Sequence, residues 1–283
     1  MSQPKENYSA KLRAKSMVYF VICIILTLIC LVPIYILIIN ATRKHVDIIS
    51  SVSFIPGSNL AANVKKLLND PMFQFDPFIG FKNSAIIAVG STVLSVFFSA
   101  LTAYGLVVYD FKLRGPAYTF ILVVMMVPMQ VTSVGFLQFM IKLGLSDSFI
   151  PLIVPTIAAP AIVFFMRQYL KSSFPLDIVE AARIDGCGEF RTFLTIAIPM
   201  MKPAIAVQAI FAFIQNWNNF YQPSMILVSR KFEQITMPMM INMLKSNDKI
   251  ADYGVIYAGI ALSIIPVVVI YLLLSRFIVE GVA

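Results

Sequence analysis

Six long apolar stretches recur along the 283 residues, over 16–40, 84–108, 116–141, 150–169, 203–228 and 253–277. Each approaches or exceeds the ~20 helical residues that cross the hydrocarbon core of a bilayer. A backbone in lipid must satisfy its own hydrogen bonds, so each stretch is expected to be helical. The chain therefore reads as an all-α integral membrane protein of about six spans, forming one transmembrane domain over 1–283. Composition agrees, because 59% hydrophobic and 13% charged residues leave too little charge for the surface of a soluble domain. The first stretch follows Lys11, Arg13 and Lys15, as a secretory signal would. Its apolar run is too long for a signal core and no small-residue cleavage site closes it, which predicts a retained helix.

The net charge of +8 sits on residues that flank the apolar runs. That placement suits anchoring at anionic lipid headgroups and speaks against a nucleic-acid partner. Lys5, Lys11, Arg13 and Lys15 precede the first span, Lys112 and Arg114 join the second to the third, and Lys171, Arg183, Arg191 and Lys202 follow the fourth. With six spans these segments share one side, so the N-terminus is expected to be cytoplasmic in a multi-pass plasma membrane protein. The opposite side also carries basic residues, in the long loops 41–83 and 229–252, where the rule weakens. Cys23, Cys30, Cys187 and His45 have no spacing that suggests a disulfide or a metal site. No phosphate-binding G-x-x-x-x-G-K, no H-E-x-x-H and no G-x-S-x-G occurs, so no catalytic residue and no cofactor are expected in this chain.

One loop stands apart. Asp177, Glu180, Arg183, Asp185, Glu189 and Arg191 fall within 15 residues of the segment 171–203. At ~3 kcal/mol per charge, burying them in lipid would cost on the order of 18 kcal/mol, which places the segment outside the bilayer. Pro175 suits the first turn of a helix, where Asp177 and Glu180 face the positive end of the dipole. Gly186 suits a left-handed stop. A second helical stretch follows with Phe190, Phe193 and Leu194 to one side, and Pro199 and Pro203 are expected to kink the entry to the fifth span. The pattern allows a docking surface, with small Ala181 and Ala182 permitting close approach, or a solvated amphipathic hairpin without a partner.

Glu180-Ala181-Ala182-Arg183-Ile184-Asp185-Gly186, with Pro199 thirteen residues after the glycine, resembles the EAA loop of ABC importer permeases. The resemblance extends along most of the chain. Asn83-Ser84, Ala103-Tyr104, Met126-Val127-Pro128 with Gln130, Gly144-Leu145 and Trp217-Asn218-Asn219-Phe220 with Pro223 are all similar to the carbohydrate importers, with Asn219 in place of the family's usual Asp. Within that group the chain is most like the smaller, six-span permease of the maltose transporter. The resemblance implies a type I ABC importer permease fold whose cytoplasmic coupling helix contains Glu180, Ala181, Ala182, Arg183, Asp185 and Gly186 and docks on an ATPase. It also implies three partners: a second permease subunit, an ABC ATPase dimer that holds ATP and Mg, and an extracytoplasmic sugar-binding protein probed by a loop at 243–252. The family usually continues past Gly281 with a short tail that contacts the ATPase, whereas this sequence stops at Ala283.

The fifth stretch carries Gln208, Gln215, Asn219 and Gln222 at spacings of 7, 4 and 3, with Asn216 and Asn218 beside them. On one continuous helix these four fall within roughly 60° of a single face. Two readings remain: a translocation path that offers amides to the hydroxyls of a sugar, or hydrogen bonds between helices. Trp217 would stack on a sugar ring or pack near the interface. Pro128, Pro155, Pro160 and Pro266 interrupt the spans and are expected to bend them. An oligosaccharide is the expected cargo. The rivals are a glycerol phosphate, which would favour basic residues in the path, and a channel or scaffold with no need of a charged loop.

Overall fold

The computed structural model describes residues 5–246 and 252–280. All regular elements among them are helical: α1 Lys5–Ala41, α2 His45–Ser50, α3 Leu60–Asn69, α4 Pro77–Val108, α5 Arg114–Met125, α6 Met129–Lys142, α7 Ile150–Ile153, α8 Pro160–Ser173, α9 Asp177–Ile184, α10 Glu189–Thr192, α11 Ile198–Met200, α12 Lys202–Trp217, α13 Tyr221–Ile226, α14 Met237–Ser246 and α15 Tyr253–Glu280. Four helical segments are long and apolar enough to cross a membrane, and the number is six if each of two bent helix pairs is one span. The first, second and sixth expected spans are α1, α4 and α15. Helix α4 starts seven residues before the expected 84, because Asp76 Oδ1 accepts the amides of Phe78 and Ile79 and Pro77 fills the first turn.

The third span bends where Pro128 was expected to bend it, and the fifth departs from expectation. The third is two helices, α5 and α6, bent by 95°. Pro128 has no N–H to continue the helix and disfavours a helical Val127, so it ends one helix and caps the next. The fifth was expected as one helix over 203–228, but α12 ends at Trp217. Pro223 cannot donate backward, and the Asn219 Oδ1 accepts the amide of Gln222, a local bond that competes with helix continuation. The apolar partner of α12 is instead the segment before it, Glu189–Met200, bent by 80°. Its Phe193–Ala197 turn is π-helical, immediately before the Pro199 that lacks an N–H. The fourth span is also interrupted, by a 3₁₀ turn over Val154–Ile157.

Residue contacts divide the chain into two compact units, Met1–Phe75 with Leu244–Leu262 and Asp76–Met243 with Ser263–Ala283. In the first, Asn63 Nδ2 donates to the carbonyls of Ala41 and Arg43 at 2.8 and 2.9 Å, tying α3 to the end of α1. Lys66 meets Asp252 at 2.8 Å, and His45 stacks on Tyr253. In the second, α4 is the central helix. It buries Ser91, Ser95, Ser99, Ala88 and Ala103, small residues that let α8 and α12 pack close. Two of the hydroxyls also serve the interrupted fourth span, since Ser91 and Ser99 donate to the carbonyls of Leu152 and Ala159. The four-residue spacing of these serines is visible in the sequence and is the signal that identifies them.

Asn83 and Ser84 hold the chain between α13 and α14. Asn83 is buried, and its Nδ2 donates to the carbonyls of Glu233 and Ile235 at 2.8 and 3.0 Å. Ser84 Oγ accepts the Met237 amide at 2.9 Å.

Candidate functional site

Helix α9 starts at Asp177, two residues after the Pro175 expected in its first turn, and stops where expected. Asp177 and Glu180 lie in its first turn and Arg183 in its last. Gly186, at φ +78, ends it: its amide donates to Arg183 O at 3.0 Å, and the Cys187 amide donates to Ala182 O at 2.9 Å. This pair of bonds is a Schellman closure, which requires a left-handed residue at the glycine.

One face of α9 is anchored and the other is bare. Val179 and Ala182 are buried, and Val179 joins Phe174, Tyr104, Phe193, Met166 and Leu170 in one apolar cluster. Tyr104 touches Phe174 and Phe193 ring against ring. Opposite, Glu180, Ala181 and Asp185 are exposed, and Ile184 is 87% exposed. An isoleucine left so open on an otherwise ordered short helix is a large apolar group that the described residues leave uncovered.

The two limbs of the loop are joined by charge. Arg183 Nε donates to Glu189 Oε1 at 2.7 Å and its Nη2 to Oε2 at 3.2 Å, a two-point bond. Tyr109, at the C-cap of α4, donates its hydroxyl to Glu189 Oε2 at 2.7 Å, and the Arg183 guanidinium lies 5.8 Å from the Tyr109 ring centre. Glu189 therefore fastens α9 and α10 to the end of α4. The Arg183 bond, then the Tyr109 bond, holds the Glu189 carboxyl below its ordinary value, and burial with the Glu189 bond pushes Tyr109 up to about 12. Because the folded carboxyl ionises below its unfolded value, the link is fully present at neutral pH and is lost as pH falls below the ordinary carboxylate range. Glu189→Gln is expected to raise hydrogen exchange of the 183–192 amides by about twofold to fivefold at neutral pH. Exchange unchanged by the substitution would show that the turn holds without the link.

Arg183, expected in the docking helix, is exposed and also bonds Glu189 within the loop. Glu189 and Tyr109 were not singled out as site residues. The bond crosses a turn and reaches 80 residues back along the chain, so no local periodicity marks it.

The polar stripe of the fifth span does not lie on one helix. Gln208 and Gln215 are on α12, half-buried and exposed respectively, and Asn216 donates to the Ala212 carbonyl of its own helix at 2.8 Å. Asn219 lies in the break after Trp217 and Gln222 on α13, where Asn219 Nδ2 donates to Gln222 Oε1 at 2.8 Å. Periodicity at 100° per residue fails past the break, so the shared face reduces to Gln208 and Gln215. Trp217 is buried, stacks on Phe81 and Phe213, and donates Nε1 to Ser263 O at 3.0 Å. It packs within the bundle. The loop at 243–252 lies partly, and the segment 281–283 wholly, outside the described residues.

The family model described as binding-protein-dependent transport system inner membrane component matches residues 95–283. The arabinooligosaccharides transport system permease protein AraQ of Bacillus subtilis is 34% identical over 261 residues, covering 90% of each chain. The lactose transport system permease protein LacG of Rhizobium radiobacter is 32% identical, covering 74% of this chain and 75% of that one. The sn-glycerol-3-phosphate transport system permease protein UgpE of Pectobacterium atrosepticum is 28% identical, with 92% and 93% covered. A chain of the crystal structure of a bacterial ABC transporter involved in import of the acidic polysaccharide alginate shares the fold, with a TM-score of 0.74 over 98% of this chain and 99% of that one at 23% identity.

Proposed function

Since this chain belongs to the binding-protein-dependent transport system inner membrane components, we propose that it is the permease subunit of an ATP-driven oligosaccharide importer, working as one permease domain in which α9 is the coupling helix. The observation that carries the reading is a short helix anchored on one face and open on the other, with Ile184 displayed at its end. Pre-ordering of α9 by the Gly186 closure and the Glu189 link spares a partner the entropy of arranging it. In this reading the N-terminus is cytoplasmic, and an ATPase dimer, which binds the ATP and Mg, receives α9 together with that of a second permease subunit. Closure of the dimer moves the helices as rigid bodies and opens the path outward to a sugar-binding protein. Glu180, Ala181, Asp185 and Gly186 belong to the docking side, and Ala182 and Arg183 hold the helix in place.

A saccharide fits better than a glycerol phosphate. Residues 208–222 offer Gln208, Gln215, Asn216, Asn219 and Gln222 and contain no Lys or Arg, whereas a phosphate favours cationic donors. Of the three permeases named above, those for arabinooligosaccharides and lactose are 34% and 32% identical and that for glycerol phosphate 28%.

The test is a pair of surface substitutions, Glu180→Lys and Ile184→Asp. Both side chains are exposed, so insertion and abundance are expected to match the parent. Loss of an interface anchor worth ~2 kcal/mol would weaken capture of the ATPase about thirtyfold, and uptake is expected to fall with it. Parental uptake in both variants would remove α9 from the coupling contact.

A further inference from the structure

We propose that the segment joining α2 to α3 is a lipid-inserted strap that seats Val52, Phe54 and Ile55 in the membrane leaflet at the C-terminal end of α1, the outer leaflet in the orientation proposed above. Three observations within the first unit carry this.

The first is depth. Tyr35 lies six residues before the end of α1, about 9 Å below it along the axis. Its hydroxyl donates to the Phe54 carbonyl at 2.7 Å. The chain therefore leaves α1, turns through α2 and returns along the helix to a level inside the apolar run. A tyrosine at that level belongs to the aromatic belt between headgroups and acyl chains.

The second is composition and exposure. Residues 48–64 contain no charged side chain. Val52 is 78%, Phe54 57% and Ile55 76% exposed, and Ile34 and Ile38, which flank the strap-bonded Tyr35 on α1, are about half exposed. The strap extends the apolar surface of a membrane span, and lipid is what covers such a surface.

The third is backbone satisfaction, which non-helical chain at membrane depth requires. The Phe54 carbonyl is taken by Tyr35. The Ile55 amide donates to Ser53 Oγ, which donates back to the Ile55 carbonyl. The Gly57 amide donates to Thr42 Oγ1 at 2.7 Å. Buried Arg43 donates to the carbonyls of Asp47 and Ser51 at 2.6 and 3.0 Å, which ties both ends of α2 to the end of α1. An aqueous loop has no need of such closure, because water serves its polar groups.

The test uses the full chain, with Cys23, Cys30 and Cys187 replaced by serine, purified with its accompanying subunits and reconstituted in phosphatidylcholine vesicles. Ile55→Cys and, independently, Val52→Cys carry an NBD fluorophore, and Lys65→Cys on α3 is the aqueous reference. Lipid spin-labelled near the headgroup is expected to quench the probes at 55 and 52 about twofold more than the probe at 65. A membrane-impermeant maleimide is expected to react at 55 and 52 about tenfold more slowly than at 65. Reaction at all three positions at one rate would overturn the strap. Protection without lipid quenching would also overturn it, and would assign the patch to another protein subunit. Neither result bears on α9, so the coupling reading stands or falls separately.

Discussion

Gly186→Val is expected to abolish uptake while leaving the six spans inserted. At φ +78 an L-residue meets its own carbonyl, and a β-branched side chain meets it most severely. A Cβ at this position would touch nothing else within 4 Å. The effect is therefore conformational, and a strain of ~2 kcal/mol disfavours the native turn about thirtyfold. The turn sets the direction of α9 against α10, and with it the Arg183–Glu189 bond. Gly186→Asn separates this cause from crowding, because asparagine accepts the left-handed region. Uptake near the parental rate is expected for Asn and loss for Val, measured with the transported sugar at matched membrane abundance. Equal loss in both would place the requirement in space needed by a docked partner, and parental uptake in Val would show that the turn can be closed another way.

The second large effect is expected at the first turn of α15. A Cβ on Gly254 would stand 2.5 Å from the Arg43 carbonyl oxygen and 2.8 Å from Asn63 Nδ2. Those two atoms are hydrogen-bonded to each other at 2.9 Å, so the methyl would wedge open the bond that ties α3 to the end of α1. The obstacle is backbone on one side and a buried amide on the other, so neither gives way cheaply. Gly254→Ala is expected to destabilise the first unit by ~1–3 kcal/mol, read as a lower midpoint for thermal loss of the detergent-solubilised complex. Gly105→Ala is the control, since a Cβ there meets nothing within 4 Å. Equal midpoints for the two variants would show that the close approach relaxes without cost.

Most of the architecture was legible in the sequence because its signals are local. A run of apolar residues long enough to cross a bilayer defines a span wherever it occurs, and α1, α4 and α15 follow their runs. The same locality made α9 legible: acidic residues in the first turn and a glycine where the chain must turn left-handed; it did not show that Ala182, read as permitting a partner's close approach, is buried. Hydropathy averages over breaks, however. It registers 116–141 and 203–228 as single runs although Pro128 ends one helix and the asparagines with Pro223 end another. The polar stripe failed for that reason, because projecting residues onto a wheel assumes a helix that the backbone does not continue.

By itself, the sequence determined that this protein lies in a membrane, how many times its chain can cross, and where a short charged helix interrupts the crossings. Apolar length, charge cost and left-handed backbone act within a few residues of one another. Only the tertiary structure decided what the marked side chains do. Asn83 and Ser84 hold carbonyls and an amide about 150 residues away, Trp217 fills the bundle, and Arg183, though exposed, bonds Glu189 across the turn. Hydrogen bonds and ring contacts depend on which distant groups folding brings within about 3 Å, and no periodicity along the chain encodes that distance.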